Sequence, residues 1–347
     1  MTTLMKTLWI AVPLALVGCK KTKAPEPTEG SGPVNQGSGA AVAPGSAADP
    51  HGTAGSAGSA MGSGSAVTDT GSGSAAAPAG DHLVIKDAGF MTPESVLYDA
   101  DTDLYLVSNI NGAPTVTDDN GFISKVGPDG KVVELKWIDG AKDDVKLDAP
   151  KGSAIVGGVL YVADITVVRK FDAKTGKAKG DIKIAGATFL NDIAPADGGG
   201  VYVTDTGVDP KFAPNGTDAV YKIGADDKVT TVLKNKDLGS PNGIAAVGNS
   251  VWIATFGTGE VYEINAKGEK QPGAKLPTGQ LDGILAREGG EWLVSSWGGK
   301  TVYSGKPGEW KDLKLDLAAP ADIGWDSKRK KLLVPQFQDN AVHVIGL

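Results

Sequence analysis

The chain has 347 residues with one cysteine, three histidines and a net charge of −7. A single cysteine excludes a disulfide framework and a cysteine-rich metal site, and three histidines make a histidine-based zinc site or catalytic centre hard to assemble. The acidic balance argues against a nucleic-acid-binding surface, which needs a basic patch. The 49 glycines and 20 prolines are unevenly spread, and their distribution divides the chain into three segments.

Residues 1–19 are predicted to be a secretory signal. An apolar run of 11 residues, from Thr7 to Val17, is too short to cross a bilayer and is typical of a signal core. The run ends in L-V-G-C, which resembles the lipobox of bacterial lipoproteins and implies lipidation of Cys19. The alternative is a small-residue cleavage site with a chance cysteine. In a Gram-negative cell, Lys20 resembles the outer-membrane sorting pattern, so we expect a lipid-anchored protein of the cell envelope.

Residues 20–80 are predicted to be a disordered, flexible tether. Glycine, serine, alanine and proline dominate the segment, as in G-T-A-G-S-A-G-S-A-M-G-S-G-S-A. Such a composition buries too little apolar surface to offset its ordering entropy. A coil of this length has a mean end-to-end distance of roughly 40 Å. The segment is therefore expected to provide distance from the membrane rather than chemistry.

Residues 81–347 contain six copies of one pattern. Each copy opens with Pro or Leu, a polar residue and a small residue, and continues with an aliphatic strand, a turn and a second strand. The copies begin at Pro93, Pro150, Leu190, Pro241, Leu281 and Pro320. The segment therefore provides about 44 residues per copy, which is the period of a four-stranded propeller blade. We predict an all-β fold, a six-bladed β-propeller.

The sixth copy stops at its third strand, residues 341–345, and has no outer strand of its own. Residues 82–86 precede the first copy and have the composition of a strand. We predict that residues 82–86 pair with the last blade and close the ring, because closure removes a free sheet edge.

Polar residues recur where the first, innermost strand of each blade begins, at one mouth of the central channel. The six equivalent positions are Glu94, Lys151, Asn191, Asn242, Asp282 and Ala321. Two carboxylates on a narrow axis repel each other and resist burial. A Ca²⁺ ion, or another divalent cation, would relieve this repulsion, since it binds carboxylate and amide oxygens at about 2.3–2.6 Å. The predicted metal ligands are Glu94, Asn191, Asn242 and Asp282. The alternatives are a solvated mouth and an ion pair between Lys151 and Glu94.

Four short segments carry a family resemblance. P-E-S from Pro93, N-D-I from Asn191, P-N-G-I from Pro241 and L-D-G-I from Leu281 follow the order of the metal-binding segments in the senescence-marker-protein/gluconolactonase family, which includes regucalcin. Residues 81–347 resemble this family throughout, and more widely calcium-dependent propellers such as the paraoxonases. The resemblance implies calcium at these residues and hydrolysis of a lactone or similar ester. Asp282, or a water that it orients, would act as the general base.

The sequence also departs from these families. Gluconolactonase-like members have an arginine two residues before the first asparagine, where this chain has Phe189, and paraoxonase-type enzymes use histidines near the metal. His51, His82 and His343 all lie away from the predicted ring. The segment V-R-K-F-D-A-K-T-G resembles an NHL repeat, which is typical of binding propellers. Two functions stay open: a calcium-dependent lactone hydrolase, and a non-catalytic binding or scaffold lipoprotein with at most a structural metal.

Two long connections, Asn109 to Gly121 and Thr206 to Asp218, are expected at the same mouth as the polar ring. Loops on a rigid scaffold often carry specificity, so they would contact a small lactone or ester, or a protein partner. The alternative is surface loops without a ligand. We further expect a monomer that contacts the membrane through lipidated Cys19.

Overall fold

The computed structural model describes residues 82–347. In this part of the chain, 24 strands form six antiparallel four-stranded sheets, and the one helical segment is the 3₁₀ turn Glu288–Gly290. The prediction of an all-β, six-bladed β-propeller is confirmed. The predicted signal 1–19 with Cys19, and the tether 20–80, lie outside the described residues and stay predictions. Residues 82–347 include no helix that is both long enough and apolar enough to cross a bilayer.

In the first five blades the strands follow chain order from the channel outward. The first three blades consist of β2 (Pro93–Asp99), β3 (Leu104–Asn109), β4 (Phe122–Val126) and β5 (Val132–Asp139); β6 (Pro150–Val156), β7 (Val159–Asp164), β8 (Val167–Asp172) and β9 (Ala178–Lys183); and β10 (Leu190–Pro195), β11 (Val201–Asp205), β12 (Ala219–Ile223) and β13 (Val229–Lys234).

The remaining three blades complete the circle. They consist of β14 (Pro241–Val247), β15 (Ser250–Thr255), β16 (Glu260–Ile264) and β17 (Ala274–Lys275); β18 (Leu281–Ala286), β19 (Trp292–Ser296), β20 (Thr301–Lys306) and β21 (Glu309–Asp312); and β22 (Gly324–Asp326), β23 (Lys331–Gln336), β24 (Ala341–Gly346) and, from the start of the described chain, β1 (His82–Ile85).

The hydrophobic core lies between neighbouring blades. Tyr161 on the second blade belongs to one buried cluster with Ile193 and Val203 of the third blade. The rings of Trp252 and Trp292, on the fourth and fifth blades, lie 4.8 Å apart. Burying a large apolar side chain contributes about 1.5–3 kcal/mol. Each blade is therefore held by its two neighbours rather than by a core of its own.

The inner strand of the sixth blade is shorter than its repeat predicts. It begins at Gly324 instead of Pro320, and isolated bridges hold the preceding residues, one of them parallel between Ser95 and Asp322. The backbone N–H of Asp322 donates to the carbonyl oxygen of Glu94 at 2.9 Å. In the sixth blade, bonds to the first blade thus replace part of the hydrogen-bond ladder between the inner and second strands.

The ring is closed by the pairing of β1 with β24. His82 lies opposite Ile345 and Ile85 lies opposite Val342, in antiparallel register. The predicted closure is therefore confirmed, with the strand ending at Ile85 rather than at residue 86. Ile85 is 5% exposed and packs in a buried cluster with Val107 of the first blade. β1 both covers the edge of the last blade and contributes to the core.

Replacing Ile85 with alanine should lower the free energy of unfolding by about 2–4 kcal/mol, because it removes a buried apolar side chain from the closing strand. Urea denaturation measures this change. Val84→Ala is the matched control in the same strand, since Val84 is 41% exposed, and should cost less than about 1 kcal/mol. Equal effects of the two substitutions would contradict a role of Ile85 in closure.

Candidate functional site

Five of the six ring positions lie in β-bulges at the start of an inner strand. The register of β10 on β11 shifts between Leu190 and Ile193, and equivalent shifts occur in β2, β6, β14 and β18. A bulge bends its strand and re-aims a side chain, and bulges are common beside functional sites. The ring residues within these bulges are Glu94, Lys151, Asn191, Asn242 and Asp282.

The backbone ahead of the ring positions is strained. Two residues before them, φ is 53° at Thr92, 59° at Ser240, 54° at Gln280 and 52° at Ala319. The left-handed conformation costs a non-glycine residue roughly 1–2 kcal/mol, and such strain collects at functional sites. All four carbonyls accept the N–H of the first residue after the second strand, as Phe256 donates to Ser240 at 3.0 Å. The turn into each of these inner segments is therefore fixed by its neighbouring strand.

Glycine follows two ring positions because adjacent inner strands approach closely. A β-carbon on Gly243 would lie 2.1 Å from the carbonyl oxygen of Asp282, and one on Gly283 would lie 2.4 Å from the backbone nitrogen of Ile323. No side chain fits at either distance. The N-G and D-G dipeptides are therefore required by strand contact, and this contact brings the side chains of Asn242 and Asp282 to neighbouring places on the axis.

The four predicted metal ligands each have a buried oxygen without a hydrogen-bond partner. These atoms are Glu94 Oε2, Asn191 Oδ1, Asn242 Oδ1 and Asp282 Oδ1, and all four residues are at most 4% exposed. Buried polar atoms are nearly always partnered, and an unpaired one costs about 1–3 kcal/mol. Two carboxylates and two amides therefore fit a hard divalent cation. Within residues 82–347, no group of three or more His, Cys, Asp or Glu side chains is placed to hold a metal ion, so the candidate set depends on its amide oxygens.

Hydroxyl groups on the third blade hold two of the ring residues. The amide nitrogen Nδ2 of Asn191 donates to Thr206 Oγ1 at 3.0 Å, and this hydroxyl donates to the carbonyl of Pro241 at 2.8 Å. Thr204 Oγ1 donates to the backbone carbonyl of Asn242 at 2.6 Å. The Oδ1 atom of Asn191 is therefore left without a partner. The repeat pattern does not single out these threonines, although their alternation in T-D-T places both on one face.

Negative charge is destabilised at the ring. Burial raises the pKa of Glu94 well above its ordinary value, and the charges of Asp282 and Asp322 raise it further, whereas Lys151 lowers it. Burial also raises the pKa of Asp282, and the charge of Asp322 acts in the same direction. Asp282 lies on the fifth blade and Glu94 on the first, so the electrostatic repulsion between these carboxylates acts across the channel. A cation would stabilise both ionised groups.

A second layer of carboxylates lies one residue beyond the ring position in the third and sixth blades. Asp192 accepts the backbone N–H groups of Ile193 and Ile244 at 2.6 and 2.8 Å, and Asp322 accepts the hydroxyl of Ser95 at 2.6 Å. Burial raises the pKa of Asp322 to about 7. These acids tie neighbouring inner strands together. The ring positions alone do not predict these acids, although the N-D-I and A-D-I segments carry them at the same position.

Lys151 does not form an ion pair with Glu94. Its Nζ atom donates to the carbonyls of Ala149 and Pro114 at 3.0 and 3.2 Å, and lies 4.4 Å from the ring centre of Phe189. The ion pairs within the described range do not include Lys151 with Glu94. The ion pair between Lys151 and Glu94, which was one alternative to a bound cation, is therefore not formed.

Both long loops meet at the mouth that carries the ring. Pro114 and Thr115 belong to the connection between β3 and β4, and the hydroxyl of Thr115 donates to the carbonyl of Pro210 in the connection between β11 and β12, at 3.4 Å. Since Pro114 also accepts a bond from Lys151, this loop reaches the ring itself. The two loops therefore cover part of the mouth.

A cavity of about 480 Å³ occupies the opposite part of the channel. Its lining begins with Ser95, Asp192 and Asp322, next to the ring, and ends near Pro195 and Trp325 at the far mouth. The four predicted ligands do not line it. The ring therefore lies between this cavity and the mouth that carries the long loops.

Two of the three histidines lie on the outer strands of the sixth blade. His82 on β1 and His343 on β24 are joined by a hydrogen bond of 3.1 Å between their ring nitrogens. They take no part in the ring, whose ligands come from inner strands. His51 and the predicted lipidation residue Cys19 lie outside the described residues.

Solved structures share this architecture at low sequence identity. A gluconolactonase from Xanthomonas campestris is 17% identical, with a TM-score of 0.60 over 77% of this chain and 90% of that one. A luciferin-regenerating enzyme is 17% identical, with a TM-score of 0.58 over 77% and 97% of the two chains. A virginiamycin B lyase from Staphylococcus aureus is 13% identical, with a TM-score of 0.56 over 77% and 99%.

No protein-family model and no curated protein sequence matches the chain. At these identities a structural likeness shows the fold, whereas the chemistry depends on the residues of the site. The sequence-based resemblance to gluconolactonase-type propellers is confirmed at the level of the fold. Residues 82–347 have the six-bladed β-propeller fold of the gluconolactonase-like structures.

Proposed function

We propose that the chain is a hydrolase of lactones or related esters that depends on a divalent cation, with Ca²⁺ as the cation. The observation that carries the proposal is the set of four buried, unpartnered oxygens at one channel mouth. Calcium accepts carboxylate and amide oxygens, with about six to eight ligands in total. Four protein ligands leave positions for water and for a substrate carbonyl, which is the open arrangement that metal-assisted hydrolysis needs.

The proposed mechanism assigns a role to each of the four predicted ligands. When bound, the cation would polarise the substrate carbonyl. Asp282, or a water that it orients, would act as the general base toward the attacking water. The water oxygen bonds to the carbonyl carbon, the ester C–O bond breaks, and the proton passes to the leaving oxygen. Glu94, Asn191 and Asn242 hold the cation and the substrate in place.

The second candidate is a non-catalytic binding or scaffold propeller with at most a structural metal. The contact between Thr115 and Pro210 favours it, because it covers part of the mouth beside the ring. A covered oxygen set suits a permanently bound ion, whereas a hydrolase has to admit its substrate. The two candidates share the metal site and differ in whether any ester is turned over.

We also propose that lipidated Cys19 anchors the protein at the cell envelope, in the outer membrane if the cell is Gram-negative. The lipobox-like L-V-G-C segment supports this proposal. A tether of residues 20–80 would then separate the propeller, as a monomer, from the lipid surface. Its binding partners would be the membrane and a small lactone or ester at the channel mouth.

Calcium should stabilise the protein. At about a hundredfold excess over its dissociation constant, a ligand that binds only the folded state adds about 2.7 kcal/mol, so Tm should rise by about 5–10 °C. Glu94→Gln should abolish most of this rise, because it removes one of the two ring carboxylates. Asp237→Asn is the control, since it removes an exposed carboxylate that takes no part in the ring, and should keep the response. A wild-type protein indifferent to calcium would contradict the metal site.

Asp282→Ala should abolish hydrolysis without unfolding the domain. In a panel of lactones, we expect turnover by the wild-type protein that EDTA suppresses, and a loss of at least about 100-fold in the variant, because it removes a ligand and the proposed base. Circular dichroism checks the fold. The control is Asp237→Ala, at an exposed position, which should retain activity. Undiminished turnover by Asp282→Ala would refute the mechanism, whereas a wild-type protein that hydrolyses no lactone would favour the binding propeller.

Cys19→Ser should release the full-length protein from the membrane fraction of a bacterial host. The thiol is the attachment point of the proposed lipid, so incorporation of a labelled fatty acid should also disappear. Ser56→Ala, within the predicted tether, should leave both the label and the membrane association in place. A variant that still fractionates with membranes and still carries label would show that Cys19 is not the anchor.

A further inference from the structure

A second ring of side chains surrounds the mouth that carries the four oxygens. The second strand of each blade runs antiparallel to the inner strand, so it ends where the inner strand begins. The first residues after the second strands are Ile110, Ile165, Thr206, Phe256, Trp297 and Phe337. Five of these positions are apolar or aromatic. The sixth is Thr206, whose hydroxyl already accepts from Asn191 and donates to Pro241.

The three aromatic residues form a continuous arc. The ring centres of Phe256 and Trp297 lie 5.6 Å apart, and those of Trp297 and Phe337 lie 4.9 Å apart. All three side chains are half-buried, so each keeps part of its surface accessible. Phe337 also packs against the buried cluster that contains Ile110 and Ile165. The aromatic arc, Phe256, Trp297 and Phe337, therefore continues as apolar surface to the first and second blades.

The third blade adds aromatic surface on its side of the mouth. The rings of Phe189 and Phe212 lie 5.6 Å apart in an edge-to-face arrangement, and Phe212 is 52% exposed. Lys151 lies over Phe189 at 4.4 Å and already donates to two backbone carbonyls. A molecule entering between the loops would therefore meet phenyl rings before it reached the oxygens.

Trp297 connects the aromatic arc to the oxygen ring. Its indole Nε1 is buried without a hydrogen-bond partner. The backbone N–H of Trp297 donates to the carbonyl of Gln280, two residues before Asp282, at 2.9 Å. The arc therefore lies beside the segments that carry the oxygens, and the part of a substrate next to its reacting carbonyl would lie against the arc.

We propose that this mouth selects a lactone or ester with an alkyl or aromatic substituent over a polyhydroxylated one. The inference rests on the proposed function and names its substrate class. A hydroxyl placed against the phenyl rings of Phe256 and Phe337 loses its bonds to water and gains no replacement, which is unfavourable. An alkyl chain or phenyl ring in the same place gains free energy by leaving water. Phe256, Trp297 and Phe337 are the specificity-determining residues.

The test compares two lactones with the same six-membered ring on the full chain loaded with Ca²⁺. We expect kcat/KM for δ-decanolactone, which carries a pentyl group, to exceed that for D-glucono-δ-lactone by at least about tenfold. A second readout needs no turnover. The two corresponding lactams lack the ester bond, and the pentyl-substituted lactam should raise Tm while the polyhydroxylated lactam should not.

Substitutions at Phe337 test whether the aromatic arc causes the preference for the pentyl-substituted lactone. Phe337→Ala should reduce the ratio of the two kcat/KM values by about tenfold, because it removes a ring from the arc. Phe337→Leu keeps an apolar side chain and should retain most of the ratio. Val133→Ala, at a 61% exposed position on the outer strand β5, is the control and should leave the ratio unchanged.

The outcomes separate this inference from the proposed function. Equal or faster hydrolysis of the polyhydroxylated lactone would overturn the inference and leave the hydrolase proposal standing. Binding of the pentyl-substituted lactam without hydrolysis of either lactone would support the apolar mouth and contradict the hydrolase proposal. If neither lactam bound and neither lactone were hydrolysed, both would be overturned.

Discussion

The crowding of the inner strands around one narrow axis is the constraint on which the candidate site depends. Neighbouring strands approach so closely that Gly243 and Gly283 have no room for a β-carbon. Bulges at this level turn one side chain of each strand toward the axis. Where those side chains are Glu94 and Asp282, two desolvated carboxylates have to share the channel, and two unpartnered amide oxygens accompany them. The geometry that completes the propeller therefore also gathers the unpartnered oxygens on which the proposed cation site rests.

The repeat pattern predicts most of the fold and the identity of the oxygen set, because equivalent positions of equivalent copies fall in the same bulge. Features that depend on contacts between distant residues are not predictable in this way. The bond from Asp322 to Glu94, which shortens β22, joins opposite ends of the domain. The orientation of Lys151 is decided by the carbonyl of Pro114, in a loop of another blade. Bulges and left-handed residues likewise follow from packing between strands and have no local signature here.

The ring mouth combines two layers of opposite character. The lower layer consists of unpartnered carboxylate and amide oxygens, whereas the upper layer consists of phenyl, indole and aliphatic surface. Both layers come from the six-fold repeat, one from the start of the inner strands and one from the end of the second strands. A change in an upper residue alters what is recognised and leaves the oxygens in place. Structures that share this fold at 13–17% identity are therefore no guide to the substrate, which the side chains of each mouth decide.

The pairing of β1 with β24 also affects how the protein is made. During translation β1 leaves the ribosome before the strands of the first five blades, whereas its partner β24 follows them. The first five blades consist of consecutive strands and can form as they emerge, but the sixth stays incomplete until β24 has been made. An unpaired edge recruits other chains. The nascent propeller is thus most vulnerable to self-association before β24 emerges, and the pairing of β1 with β24 removes that hazard.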